Sequence, residues 1–201
     1  MILKKMRGVT TAAVLSTALL AAGCMSMDGG MAADGMSADA GATVMVGGAA
    51  MYPTKTIVEN AAASPIHTTL VAAVTAAGLA PTLSGPGPFT VFAPTNAAFA
   101  KLPAGTVDTL VMPANKATLT KILTYHVVAG RVSAADLMAQ IRAGGGRAAL
   151  TTVEGGVLTA SLRGNAVILT DEKGGVATVT QADVFQSNGV IHVTDTVSMP
   201  N

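Results

Sequence analysis

Tryptophan is absent from this 201-residue chain, tyrosine occurs twice, phenylalanine four times and cysteine once. A core with so few rings must be assembled from small aliphatic pieces, and three of the four phenylalanines (Phe89, Phe92 and Phe99) fall in one stretch. A single cysteine excludes an intrachain disulfide. Charged residues are only 11% of the chain, and no run of Lys and Arg is interleaved with aromatics, which excludes a nucleic-acid surface of the usual kind. Missing too are the Gly-x-Ser-x-Gly elbow, the His-Glu-x-x-His pair and the Walker loop that accompany hydrolytic, zinc or nucleotide chemistry. His67, His126 and His192 stand far apart, and none has a second ligand at metal spacing. The expectation is a protein that is not an enzyme and needs no metal or cofactor.

What is present begins with a leader. Lys4, Lys5 and Arg7 precede an apolar run, Val9 to Ala22, that is short for a bilayer span. The run ends Leu19-Leu20-Ala21-Ala22-Gly23-Cys24, which resembles the bacterial lipoprotein signal, in which the cysteine is acylated and becomes the new N-terminus. That resemblance implies removal of residues 1–23, lipidation of Cys24, and export to the bacterial envelope: outer membrane, periplasmic face or cell surface. Nine basic and eleven acidic residues would then remain, a net charge of −2. Residues 24–51 are rich in Gly, Ala and Met without apolar periodicity and read as a flexible tether spanning roughly 30 Å. Six methionines there raise the idea of copper(I) capture by thioethers. Their uneven spacing, with no His nearby and the adjacent Cys24 expected to be acylated, favours a plain tether.

The domain is expected over residues 52–201. Thr56-Ile57-Val58-Glu59 is a capping box that opens a helix, and Ser64-Pro65 reads as a second helix start, with Leu70, Val71, Val74 and Ala77 on one face and Gly78 as its end. Phe89 to Ala93 reads as a strand buried on both sides; Pro94 stops it and Thr95 caps a helix with Phe99 and Leu102 inward. A short helical turn is expected between Pro103 and Pro113. Asn115 then caps a helix striped by Leu119, Ile122, Leu123 and His126, and Ser133 caps another that buries Leu137, Met138 and Ile141. From Arg147 the period becomes that of strands: Leu150–Val153, Val157–Leu162, Ala166–Thr170, Val176–Thr180 and Val190–Val197. Helices followed by a meander of strands argue for α+β.

Gly87 to Leu102, which holds Phe89, Phe92, Pro94, Thr95, Asn96 and Phe99, resembles the first signature block of the fasciclin family of secreted and surface adhesion domains. Ser187 to Asp195, with Asn188, Gly189 and His192, resembles the second block, and Tyr125-His126 the central pair. The resemblance implies one α+β domain, with short N-terminal helices packed on a sandwich or wedge of short strands and hairpins. It implies that Tyr125, His126 and His192 pack and hydrogen-bond, and that the domain serves adhesion to matrix, polysaccharide or a surface protein. In some fasciclin domains a short acidic-aliphatic motif just before the second block engages integrins. Gln181 to Phe185 occupies that place, so Asp183 and Val184 are candidate partner contacts, against the alternative that Val184 is core and Asp183 caps a turn. Arg163-Gly164-Asn165 lacks the carboxylate of an Arg-Gly-Asp tripeptide and reads as a turn. The alternative function is a periplasmic carrier of a small apolar ligand such as haem, in a cleft near Tyr125 and His126.

Overall fold

The Glu59 amide donates to the Thr56 hydroxyl while the Glu59 carboxylate accepts from the Thr56 amide, so the first helix, α1 (Ile57–Ala63), starts where its capping box sets it. The computed structural model describes residues 42–201. A hairpin of β1 (Val44–Val46) and β2 (Ala49–Met51) precedes α1, and α2 (Thr68–Ala77) and α3 (Ala80–Leu83) follow it. Next come β3 (Phe89–Pro94), α4 (Asn96–Ala100), α5 (Thr106–Leu110), α6 (Lys116–Tyr125), β4 (Val127–Ala129) and α7 (Ala134–Ala143). Five strands complete the chain: β5 (Arg147–Thr151), β6 (Val157–Arg163), β7 (Ala166–Thr170), β8 (Val176–Gln186) and β9 (Gly189–Thr194).

Seven strands make one sheet in the order β4-β3-β9-β8-β7-β6-β5. β3 and β9 are far apart in sequence but pair in parallel from Phe89↔Gly189 to Pro94↔Thr194. At the far edges, the Val128↔Thr152 bridge and the Val153 amide on the Val127 carbonyl (2.7 Å) draw β4 towards β5, so the sheet is mostly closed. Alternation along β3 then sorts its side chains into two cores. Val91 and Ala93 face the helical layer with Leu70, Val74, Leu119, Ile122 and Leu123, while Phe92 faces the sheet interior with Leu137, Ile141, Leu158 and Leu169. The result is the α+β class expected from the pattern of elements, in the wedge form that the resemblance implied.

Several local expectations change. The boundary at residue 52 moves: Val46 and Met51 are buried and belong to the helical-layer core, so the β1–β2 hairpin is part of the domain and not of a tether. Cys24 and the first part of the expected tether lie outside the described residues. Ser64 is the C-cap of α1, and α2 starts at Thr68 with His67 before it, because Ser64 and Pro65 are taken up in closing the turn between the helices. Met138 is only half-buried. β8 is longer than anticipated, because its second half pairs with β9 after two register shifts that break the period of two.

Candidate functional site

The parallel pairing of β3 with β9 sets Phe92 opposite His192, and their rings stack with centroids 5.6 Å apart. His192 is enclosed: its Nε2–H donates to the Val132 carbonyl (2.8 Å), and Nδ1 accepts from the Asp183 amide (3.3 Å). His126 ends α6 and is held in the same way with the opposite tautomer. Its Nδ1–H donates to the Ile122 carbonyl (2.8 Å), and Nε2 accepts from the Ser198 amide (3.0 Å). His67 pairs Nδ1 with the Ser64 hydroxyl (2.9 Å), the Ala93 main chain lies near the ring, and Nε2 has no hydrogen-bond partner.

Burial pushes all three imidazoles below the ordinary histidine range, and the facing carbonyls, with Asp171 near His126 and Asp183 near His192, offset this only in part. The unfolded chain, whose histidines titrate near ~6.5, therefore takes up more protons as pH drops below that value. Stability is fully present above it and is lost as pH falls towards the depressed folded values. The expected melting midpoint is level between about pH 8 and 7 and descends below about 6.5. His126→Gln should be less stable at the upper pH and show a shallower descent. A midpoint that does not change from about pH 7 to 5 contradicts buried neutral imidazoles.

Tyr125 is 0% exposed. Its hydroxyl donates to the Val157 carbonyl (2.8 Å) and accepts from the Glu172 amide (3.2 Å), joining the end of α6 to two turns of the sheet. Burial first, then the neighbouring carboxylates, push the phenol up to about 12, against the opposing Glu172 amide bond. It stays protonated at neutral pH and offers no nucleophile.

The acidic-aliphatic pair is divided: Val184 is buried, whereas Asp183 is half-buried. Val184 is 0% exposed and lies in the helical-layer core. Asp183 sits within the second register shift of β8, between Gln181 and Val184, with φ 57°, and its Oδ1 accepts from the Ala134 amide (2.7 Å) at the first turn of α7. Val184 is therefore core and not a contact residue, and Asp183 caps the start of α7. The alternation of side chains in β8 could not reveal this, because the bulge displaces it.

The remaining motif residues join segments. Asn188 Oδ1 accepts from the Ile57 amide (3.0 Å), and its Nδ2 donates to the carbonyls of Leu83 (2.8 Å) and Gly85 (3.0 Å). Asn96 Oδ1 accepts from the Thr69 amide (3.0 Å), while its Nδ2 donates to the Pro65 carbonyl and the Thr68 hydroxyl. Thr95 accepts from the Ala98 amide (3.2 Å) and caps α4, which buries Phe99. Gly189 is required by close approach, since a Cβ there would run into the Phe89 carbonyl oxygen of the neighbouring strand.

Among the described residues no group of three His, Cys, Asp or Glu could hold a metal ion, and no helix is long and apolar enough to cross a membrane. The cavity beside His126 is apolar, about 30 Å³, and lined by Ile57, Leu70, Val74, Val91 and Leu123 among others. Ligand pockets are usually ~300–1,000 Å³, and ligation of haem iron by His126 would need a free ring nitrogen, whereas both are already bonded. The expected cleft near Tyr125 and His126 therefore does not fit haem. A roomier open groove of about 360 Å³ lies between Pro86–Pro88 and Ser187–Asn188, with Arg131 on its wall.

The family model described as Fasciclin domain matches residues 65–200. Protein sll1483 of Synechocystis sp. is 49% identical over 158 residues, covering 79% of this chain and 81% of the relative. Cell surface glycolipoprotein MPB83 of Mycobacterium bovis is 46% identical over 93 residues, covering 44% of this chain and 40% of the relative. Among solved structures, a FAS1 domain pair from the insect cell adhesion molecule Fasciclin I superposes with a TM-score of 0.64 at 19% identity, covering 73% of this chain. This chain spans about half the length of that one, at 51%.

Proposed function

Because the chain belongs to the fasciclin domain family, we propose that it is an adhesion or interaction module, exported to the bacterial envelope, held there by a lipid on Cys24, and engaging matrix, polysaccharide or a surface protein through its outer surface. The observation that carries this reading is the commitment of the motif side chains. Tyr125, His126, Asp183, Asn188 and His192 are each hydrogen-bonded to main chain inside the domain, so the motifs serve the scaffold. A scaffold whose motif side chains are committed to its own main chain leaves its exposed faces as the means of engaging another molecule. The names of two relatives, a cell surface glycolipoprotein and a cell adhesion molecule, agree with such a role.

The test uses Cys24→Ser in cells that attach to a matrix-coated surface. The protein should move from the membrane pellet to the soluble fraction, and attachment should fall to the level of cells lacking the protein. Attachment unchanged in the released variant contradicts the anchored adhesive role.

A further inference from the structure

The outward face of the β5–β8 meander is unpartnered and has a distinctive charge distribution. On the inward face Ala148, Leu150, Leu158, Ala160 and Leu169 are buried, together with Leu137 and Ile141 of α7. The alternate residues point the other way. The register aligns Ala149 with Thr159, Thr170 and Val176 in one row, and Arg147 with Ser161, Ile168 and Thr178 in the next. Val157 and Val176 are 39% and 45% exposed at one end, Arg147 and Arg163 are exposed at the other, and only Ile168 in the centre is closed to solvent. No carboxylate projects from this face. Arg147 lies opposite Ser161, two residues before Arg163 on the same side of β6, so the two arginines are diagonal neighbours about 7–8 Å apart. Arg142, in the last turn of α7, is exposed just before the Gly144–Gly146 turn that leads into β5.

The acidic side chains that could neutralise these arginines are engaged elsewhere. Glu154, Asp171 and Glu172 occupy the turns at the opposite end of the meander and accept main-chain amides there. Among the described residues the ion pairs are Lys101–Asp195 and Lys121–Glu154, and no arginine takes part in either. The face therefore combines unpaired guanidinium groups with a field of threonine and serine hydroxyls. Its exposed apolar side chains, Val157 and Val176, lie at the opposite end, so the arginine end offers a protein partner no aromatic or large apolar anchor and a base no ring to stack on. Guanidinium forks bind carboxylates and sulfates in bidentate fashion, and the hydroxyl rows match a polyhydroxylated chain.

We infer that this face, at its arginine end, docks an acidic polysaccharide. The inference rests on the interaction-module reading and names its partner class. The test passes the full-length chain over immobilised polygalacturonate and dextran sulfate, with neutral dextran, polyglutamate and phosphatidylglycerol vesicles as comparisons. Retention on one or both acidic polysaccharides is expected, weakening as salt rises, with none on neutral dextran. Arg147→Glu/Arg163→Glu should lower that affinity at least tenfold with an unchanged melting midpoint. Lys55→Glu/Lys116→Glu, which alters net charge equally on other elements, should stay within about twofold of the parent. Equal binding by the arginine variant, equal loss in both variants, or tighter binding to polyglutamate or to vesicles overturns the assignment. Cell attachment is read in parallel. Attachment by a chain that ignores both acidic polysaccharides overturns this inference and leaves the adhesive reading standing, whereas retention without attachment supports the inference and removes that reading.

Discussion

Phe92→Ala is expected to lower the melting midpoint by on the order of 10 °C, from a loss of about 3–5 kcal/mol in a domain of this size. Phe92 is 1% exposed and occupies β3, which lies between β4 and β9. Its ring stacks on His192 and fills the sheet interior with Leu137, Ile141 and Leu158. Many of the surrounding side chains are alanine and valine, too short to swing into the space, so the cavity stays open. The loss would remove a large part of the ~5–15 kcal/mol that a typical domain has. Phe185→Ala is the comparison: Phe185 is half-buried beneath the Arg131 guanidinium, 5.9 Å from its ring, and its removal should cost markedly less. Calorimetry that finds the two variants equal, or Phe92→Ala within about 3 °C of the parent, contradicts this account of the core.

Asn188→Ala is the second large effect, and its origin is polar. One buried amide satisfies the Ile57 amide at the start of α1 and the carbonyls of Leu83 and Gly85, tying two helical segments to the turn that opens β9. Each buried polar group left without a partner costs about 1–3 kcal/mol. Water can reach part of this site, because Asn188 keeps 9% of its surface exposed. A total of about 3 kcal/mol follows. Asn188→Asp should be at least as damaging, since a carboxylate retains the bond from Ile57 but faces two carbonyls it cannot donate to. Hydrogen exchange separates this from a general loss of stability: the Ile57 amide should exchange faster in Asn188→Ala than in Phe92→Ala variants matched for melting midpoint. Identical protection at Ile57 in the two contradicts the linking role.

Elements whose cause lies within a few residues were legible in the chain. Thr56 with Glu59 and Ser133 with Asp136 form their capping boxes, and Thr95 caps α4. Gly78 ends α2 with a left-handed φ of 74°. Each is a hydrogen bond or a backbone preference that closes within one turn of helix. Where the reading missed, the deciding partner was remote. The β1–β2 hairpin resembles its Gly- and Met-rich neighbours in composition, yet Val46 and Met51 are drawn into a core built by residues that follow them. Ser64 and Pro65 carry a helix-start pattern, yet the connection from α1 uses them, and Asn96 of a later helix holds the Pro65 carbonyl and the Thr68 hydroxyl.

The candidate site divides in the same way. Its motif residues were identified from their resemblance to the family's signature blocks, and the placement of His126 on the apolar stripe of its helix needed only residue types and spacing. Which tautomer each histidine adopts, why Asp183 turns inward to the α7 terminus, and which face keeps unpaired arginines were decided by tertiary structure. Those outcomes depend on β3 lying against β9, on two register shifts in β8, and on strands that bring Arg147 beside Arg163. Short-range chemistry can be read along a chain because its partners travel together; a contact between residues 60 or 130 positions apart exists only once the sheet has closed around them.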